Sequence, residues 1–279
     1  PAQTSGLTSE PSRDMPDYEH LLYDVQDHVA TITFNRPDKR NALNTNLLGE
    51  LDAALDVAEI DDDVRVVVFR GAGAAFSAGY DLKDNPYTTP PSPDGWKLSD
   101  SAKALRGISD RYVRIWYYPK PTVAVVAGPA IATGCYFQML CDIAFAADTA
   151  TFGHQAQRVG GVTSLPIWVW MLGMRQAKYL LMTGRLITAK EAQKIGLITR
   201  VFPEAELEDE VTRLCEDLTL QNPTGARWLK EAINADYDMM GLRAAFPMHH
   251  SMNAAMRVLD HSPGQPTLQD IVFGGNRQT

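Results

Sequence analysis

An α/β fold closed by a C-terminal helical region is the architecture that this chain of 279 residues predicts, and three observations predict it. Strand-like and helix-like segments alternate through the first part of the chain. Two strand-like runs, "VRVVVFRG" (64–71) and "PTVAVVAGPAI" (121–131), are dense enough in β-branched residues to be covered on both faces. From residue 204 onward the apolar spacing is helical. A hydrophobic content of 45% is ample for a sizeable core.

Taken in order, "PAQTSGLTSEPSRD" is rich in Pro, Ser and Thr and too poor in large apolar residues to offset its ordering entropy. It reads as a flexible leader over 1–17, with a core expected over 18–203 and a helical region over 204–279. "HVATITFNRP" (28–37) alternates apolar and polar residues before an Arg-Pro stop, which predicts a strand, and "NLLGELDAALDVAEIDD" then predicts a helix. "DNPYTTPPSPDG" (84–95) is too turn-prone for regular structure, so it is either a loop beside a binding site or a plain surface loop. "IAFAADTATFG" (143–153) predicts a further strand. The apolar segment "LPIWVWMLGMRQAKYLLMTG" predicts a helix of about five turns that needs a cover. "EAELEDEVTRLCEDLTLQ" and "TGARWLKEAINADYDMM" predict amphipathic helices.

Charge and composition exclude several functions. A net charge of -8 argues against general nucleic-acid binding, although a local basic patch can still meet a phosphate. Cys135, Cys141 and Cys215 show no paired metal spacing, and an odd, sparse count suits a reducing compartment, so a cytoplasmic protein without a metal is expected. No apolar run approaches the roughly 18 residues that span a bilayer, and no basic-then-apolar signal layout opens the sequence, so no membrane association is expected. Neither a "GxxxxGK" nor a "GxGxxG" stands between a strand and a helix, which leaves ATP and NAD unindicated.

Four segments in this order resemble the crotonase (enoyl-CoA hydratase/isomerase) superfamily: "NRPDKRNALN" (35–44), "AFSAGYDLKD" (75–84), "AGPAIATGCYFQMLCDIAFAADTATFG" (127–153) and "LLMTGRLITAKEAQKIGLITRVFP" (180–203). The resemblance implies a crotonase-like spiral of ββα units and a C-terminal helical subdomain that packs between subunits. It also implies a homotrimer or dimer of trimers, and an acyl-CoA thioester as substrate. Coenzyme A would enter as part of that substrate, with no separate cofactor. Chemistry of this kind passes through a thioester enolate, so it needs donors aimed at the carbonyl oxygen, and backbone N–H groups at a turn and a helix N-terminus supply them. By resemblance these are the amides of Tyr80, in "SAGYDL", and Thr133, in "ATGCYF". Ala132 and Thr133 replace the first two glycines of the family's Gly-Gly-Gly. Lys39 and Arg40, in "PDKRNAL", match positions that meet CoA phosphates and adenine, although a basic pair at a turn is often simply solvated. Lys230 is a weaker candidate for that contact, with a solvated helix position as the simpler reading. Ala78 and Asp81 flank the first donor and join the substrate-binding set, Asp81 as a brace for the turn.

Two glutamates typical of the family's hydratases have no counterpart. Tyr136 and Ala156 stand in their places, Ala156 then counting only as a substrate contact, and Ser164 restores no carboxylate near where some relatives carry an aspartate. Tyr136, with an ordinary pKa of about 10, suits a general acid, and His154 is the nearby side chain that titrates near neutrality and can serve as base with Gln155 or Gln157. A structural histidine at a strand end is the competing reading for His154. Arg158 can pair with a substrate carboxylate or face solvent. The aromatic residues Trp116, Tyr117 and Tyr118 are candidates for an acyl pocket, whereas Trp168 and Trp170 are expected in the core. His249 and His250 either reach a neighbouring subunit's site or lie on a surface helix. Asp84 or Asp94 is in reach of the site only if the Pro-rich loop closes over it. Three readings follow: a hydratase-like lyase, an acyl-CoA-binding protein without turnover, and a hydrolase of β-diketone type, which needs a His–carboxylate couple.

Overall fold

A computed structural model of the chain describes residues 17–84, 97–155 and 162–259. The alternation read in "HVATITFNRP" becomes β2 (Val29–Phe34), in which Ala30, Ile32 and Phe34 are buried and the residues between them are half-buried. Its neighbours are β1 (Leu21–Gln26), antiparallel, and β3 (Val66–Gly71), parallel. β1 had no counterpart in the sequence reading. The β-branched run in β3 is covered on both faces as expected, because Val66 and Val68 belong to one apolar cluster and Val67 and Phe69 to another. Parallel β4 (Thr122–Val126), β6 (Ile143–Ala147) and β9 (Arg200–Phe202) complete a six-stranded sheet in the order β1-β2-β3-β4-β6-β9.

Two expected strands are each divided between sheets. The run 121–131 breaks at Gly128 (φ +80), where a Cβ would meet the Ala74 carbonyl oxygen at 2.2 Å, so β5 (Pro129–Ile131) leaves the large sheet. It pairs in parallel with β7 (Thr151–Gly153), the second half of the expected strand 143–153, and β8 (Ile187–Thr188) completes a three-stranded sheet. This division brings the chain out beside the start of a helix at Thr133.

Helices cover both faces. α1 (Thr45–Ile60) starts at Asn44, whose side chain accepts from the Leu47 amide, and it buries Leu47, Leu51 and Leu55. α2 (Leu98–Trp116) turns Leu105, Ile108 and Tyr112 inward, and α3 (Thr133–Leu140) is buried along its whole length. The expected five-turn helix appears as α4 (Trp168–Thr183), but Gly173 has φ 71 and ψ 161, which breaks the helical path. Within this chain its cover is partial: Trp168, Ala177 and Leu180 are buried, whereas Val169, Met174 and Met182 are exposed. α5 (Ala189–Lys194) carries a capping box between Thr188 and Glu191. α6 (Leu207–Thr219) lays Leu207, Val211 and Cys215 on the second face of the large sheet, and α7 (Pro223–Met239) and α8 (Leu242–Leu259) follow. No helix among the described residues is long and apolar enough to cross a membrane.

Candidate functional site

Two segments run side by side at the first turn of α3. Ser77 and Ala130 form a parallel bridge, the Phe76 amide donates to the Pro129 carbonyl (3.0 Å), and the Ile131 amide donates to the Ser77 carbonyl (2.9 Å). Gly134 makes this approach possible, since a Cβ there would lie 2.4 Å from the Ser77 carbonyl oxygen. Gly79, at φ +92, faces the start of the helix: a Cβ there would stand 3.0 Å from the Ala132 Cβ and 3.1 Å from the Thr133 nitrogen. The Gly79–Tyr80 turn and the Thr133 amide are therefore against one another.

Local hydrogen bonding sets the direction of both amides. The Leu43 amide donates to the Gly79 carbonyl (2.8 Å) and the Asp81 amide to the Leu43 carbonyl (3.0 Å), so the ladder uses residues 79 and 81 and turns the Tyr80 N–H away from Leu43. Thr133 is the first residue of α3, where an N–H has no acceptor within the helix and carries the positive end of its dipole. The preceding Ala132 has φ 52 and ψ −117, a conformation suited to glycine and strained for alanine. Its amide is anchored on the Gly153 carbonyl at 2.8 Å.

The basic turn abuts this loop. Lys39 and Arg40 are exposed, Lys39 lies 3.8 Å from Asp38, and the Arg40 carbonyl accepts from the Ala78 amide at 2.9 Å. Asn41, buried and unremarked in the sequence, ties the two together by donating to the Ala72 (2.9 Å) and Ala75 (2.7 Å) carbonyls, while Ser77 Oγ donates to the Asn41 carbonyl. Asp81 accepts from Arg36 Nη1 at 3.0 Å and from the Lys83 and Asp84 amides. Burial opposes ionisation of Asp81, but these bonds outweigh it and hold its carboxyl below the ordinary range. Asp84 is engaged at the start of α1 by Asn44 Nδ2 (3.1 Å) and Thr45 Oγ1 (3.0 Å). Asp94, Ala156, Gln157 and Arg158 lie outside the described residues.

Tyr136 and His154 come together. Their rings are 4.8 Å apart, and Tyr136 also meets Trp168 (5.8 Å) and Tyr112 (6.5 Å) edge to face. Tyr112 in turn shares a hydrogen bond with the Tyr80 hydroxyl. Burial raises the Tyr136 pKa, with Thr163 and Trp168 opposing the rise, and it lowers that of His154 to about 4. Both groups are thus neutral at pH 7, and His154 is a weaker base than free histidine. Cys135 beside them is pushed up to about 12 by burial, which leaves it a thiol.

The structure corrects several side-chain expectations. Lys230 is not solvated: it is buried, pairs with Asp142 at 2.7 Å and donates to the Lys120 carbonyl. Trp116 packs on Tyr237, Tyr117 bonds Asp238, and Tyr118 donates to the Leu55 carbonyl, so these aromatic side chains serve helix packing. Trp168 is buried as expected but stands against Tyr136, and Tyr112, which the sequence reading passed over, does the same. The signal for Tyr112 is its helical spacing from Leu105, Ile108 and Ile115, which turns it inward but does not say which ring it meets. His249 Nδ1 lies 3.0 Å from the Thr163 carbonyl of its own chain, and Asn253 bonds Val162, so α8 lies against the segment that contains Ser164.

The model of the enoyl-CoA hydratase/isomerase family matches residues 24–262. A Thermus thermophilus protein to which the name enoyl-CoA hydratase is provisionally attached is 37% identical over 233 residues, covering 82% of this chain and 89% of its own. A solved enoyl-CoA hydratase/isomerase from Xanthobacter autotrophicus superposes with a TM-score of 0.80 at 32% identity, over 86% of this chain and 88% of that one. An enoyl-CoA hydratase from Mycobacterium smegmatis gives a TM-score of 0.78 at 28% identity, over 88% and 86%.

Proposed function

This chain belongs to the enoyl-CoA hydratase/isomerase family and has its crotonase-type fold, and on that premise we propose that it acts on an acyl-CoA thioester as a hydratase-like lyase. The thioester carbonyl is polarised by the Tyr80 and Thr133 amides. The observation that carries this reading is the close approach of the Gly79–Tyr80 turn to the Thr133 amide at a helix start. Two backbone donors there stabilise the oxyanion of an enolate without reorganising side chains. Lys39 and Arg40, on the turn that abuts Ala78, suit the CoA phosphates. Tyr136 donates a proton or holds a water, and neutral His154 accepts. Assembly as a homotrimer or dimer of trimers follows the resemblance and is supported by apolar side chains left exposed on α4 and α7.

A second reading has its own support. Burial holds Tyr136 and His154 uncharged and weakens both as proton-transfer groups, which favours an acyl-CoA-binding protein without turnover. For the β-diketone hydrolase no comparable support exists among the described residues, where His154 has no carboxylate against it. Substitution separates the first two. Tyr136→Phe and His154→Ala should each lower turnover of an enoyl-CoA by about 10²-fold or more, the usual contribution of a positioned acid or base. Turnover left intact by both would remove these residues from the chemistry.

A further inference from the structure

Three uncharged polar atoms, Tyr136 Oη, Trp168 Nε1 and His154 Nδ1, belong to one cage of rings, and none makes a hydrogen bond of ordinary geometry among the described residues, Thr163 and Trp168 standing only close enough to Tyr136 Oη to oppose its pKa rise. Their residues are 2%, 1% and 9% exposed, so bulk water does not satisfy them. A buried polar atom without a partner is uncommon and destabilising, and three around one ring is a concentration that calls for a visiting partner. The tyrosine hydroxyl and the indole N–H are donors, and the indole can only donate. The tyrosine oxygen and a neutral imidazole nitrogen can also accept, but among the described residues no acceptor stands in bonding geometry to either donor.

The position of the cage links such an acceptor to the acyl chain. Tyr136 lies on α3 three residues after Thr133, one turn along the same helix, and Tyr112 on its other side shares a hydrogen bond with Tyr80. The cage is thus tied to the Thr133 amide through α3 and to Tyr80 through the Tyr112 hydroxyl. Resting on the reading of this site as one for acyl-CoA thioesters, we propose that the preferred acyl group carries an uncharged oxygen acceptor, a ketone, hydroxyl or ether oxygen, which takes hydrogen bonds from Tyr136 Oη and Trp168 Nε1. A plain hydrocarbon chain leaves both donors unpaired. A carboxylate accepts as well but needs a cation when buried, and the rings packed on Tyr136 belong to Tyr112, His154 and Trp168, with His154 itself neutral.

The test is calorimetric titration of the full chain with free coenzyme A, hexanoyl-CoA, its oxo derivatives substituted at successive chain positions, and adipoyl-CoA. At least one oxo thioester should bind about tenfold tighter than hexanoyl-CoA, the effect of one or two net hydrogen bonds, and adipoyl-CoA should bind no better than hexanoyl-CoA. Tyr136→Phe and Trp168→Phe should each bring the oxo-to-hexanoyl ratio toward unity, and the wild-type ratio stands as a measurement even if one variant fails to fold. Equal affinity for oxo and hexanoyl thioesters overturns the inference, as does a preference that survives both substitutions or one for adipoyl-CoA, and each leaves the acyl-CoA reading in place. Failure of every thioester and of free coenzyme A to bind overturns the acyl-CoA reading and this inference with it.

Discussion

Burial, rather than charge pairing, sets the chemistry of Tyr136 and His154. His154 is the clearer case. Its folded pKa, about 4, lies below the ordinary 6.5, so folding excludes a proton that the unfolded chain binds. Its contribution to stability is complete above pH 6.5 and is lost as pH falls toward 4, by on the order of 3 kcal/mol. Urea midpoints measured across that window should fall more steeply for the wild type than for His154→Phe, and parallel curves would show that His154 does not titrate as described. In the sequence, the neighbourhood of Tyr136 and His154 was legible because the resemblance put Tyr136 where the family's hydratases carry one glutamate and His154 two residues before the place of the other. That both would be sealed from water was not legible, since sealing depends on Tyr112 and Trp168 from distant parts of the chain.

At the scale of elements, the junction from β5 to α3 holds the proposed second amide donor. Ala132 occupies φ 52 and ψ −117 there, which costs an alanine about 1–3 kcal/mol. Replacement by glycine relieves that cost and gives back part of it as unfolded-chain entropy. Ala132→Gly should therefore raise unfolding stability by about 1 kcal/mol, and a lower urea midpoint would contradict the assigned strain. The dense strands were legible from their β-branched runs, but their division was not. Gly128 and the turn before Thr151 send the second half of each run to another sheet, and the reason at Gly128 is a backbone approach of 2.2 Å that a one-dimensional pattern does not record. Lys230 was misread for a related reason. Its partner Asp142 is 88 residues away in sequence, so the helix pattern alone gave no hint of burial.

For the whole molecule, the apolar excess read in α4 remains partly uncovered, and α7 adds exposed Trp228, Leu229 and Ile233. Light scattering should give a solution mass of three or six chains, whereas a monomer at micromolar concentration would remove the proposed assembly. The family and the α/β plan were legible from four ordered motifs, because such motifs record backbone approaches that a protein of this fold must make. The chemistry was less legible, because the resemblance puts Tyr136 and Ala156, neither of them a carboxylate, where the family's hydratases carry glutamates. One measurement addresses that directly: loss of conjugated thioester absorbance for a panel of short, long, branched and aromatic enoyl-CoA thioesters, with binding followed in parallel. The proposed enzyme turns over at least one of them, with its rate reduced in Tyr136→Phe. Tight binding without turnover of any member would contradict catalysis and leave a protein that holds acyl-CoA unchanged.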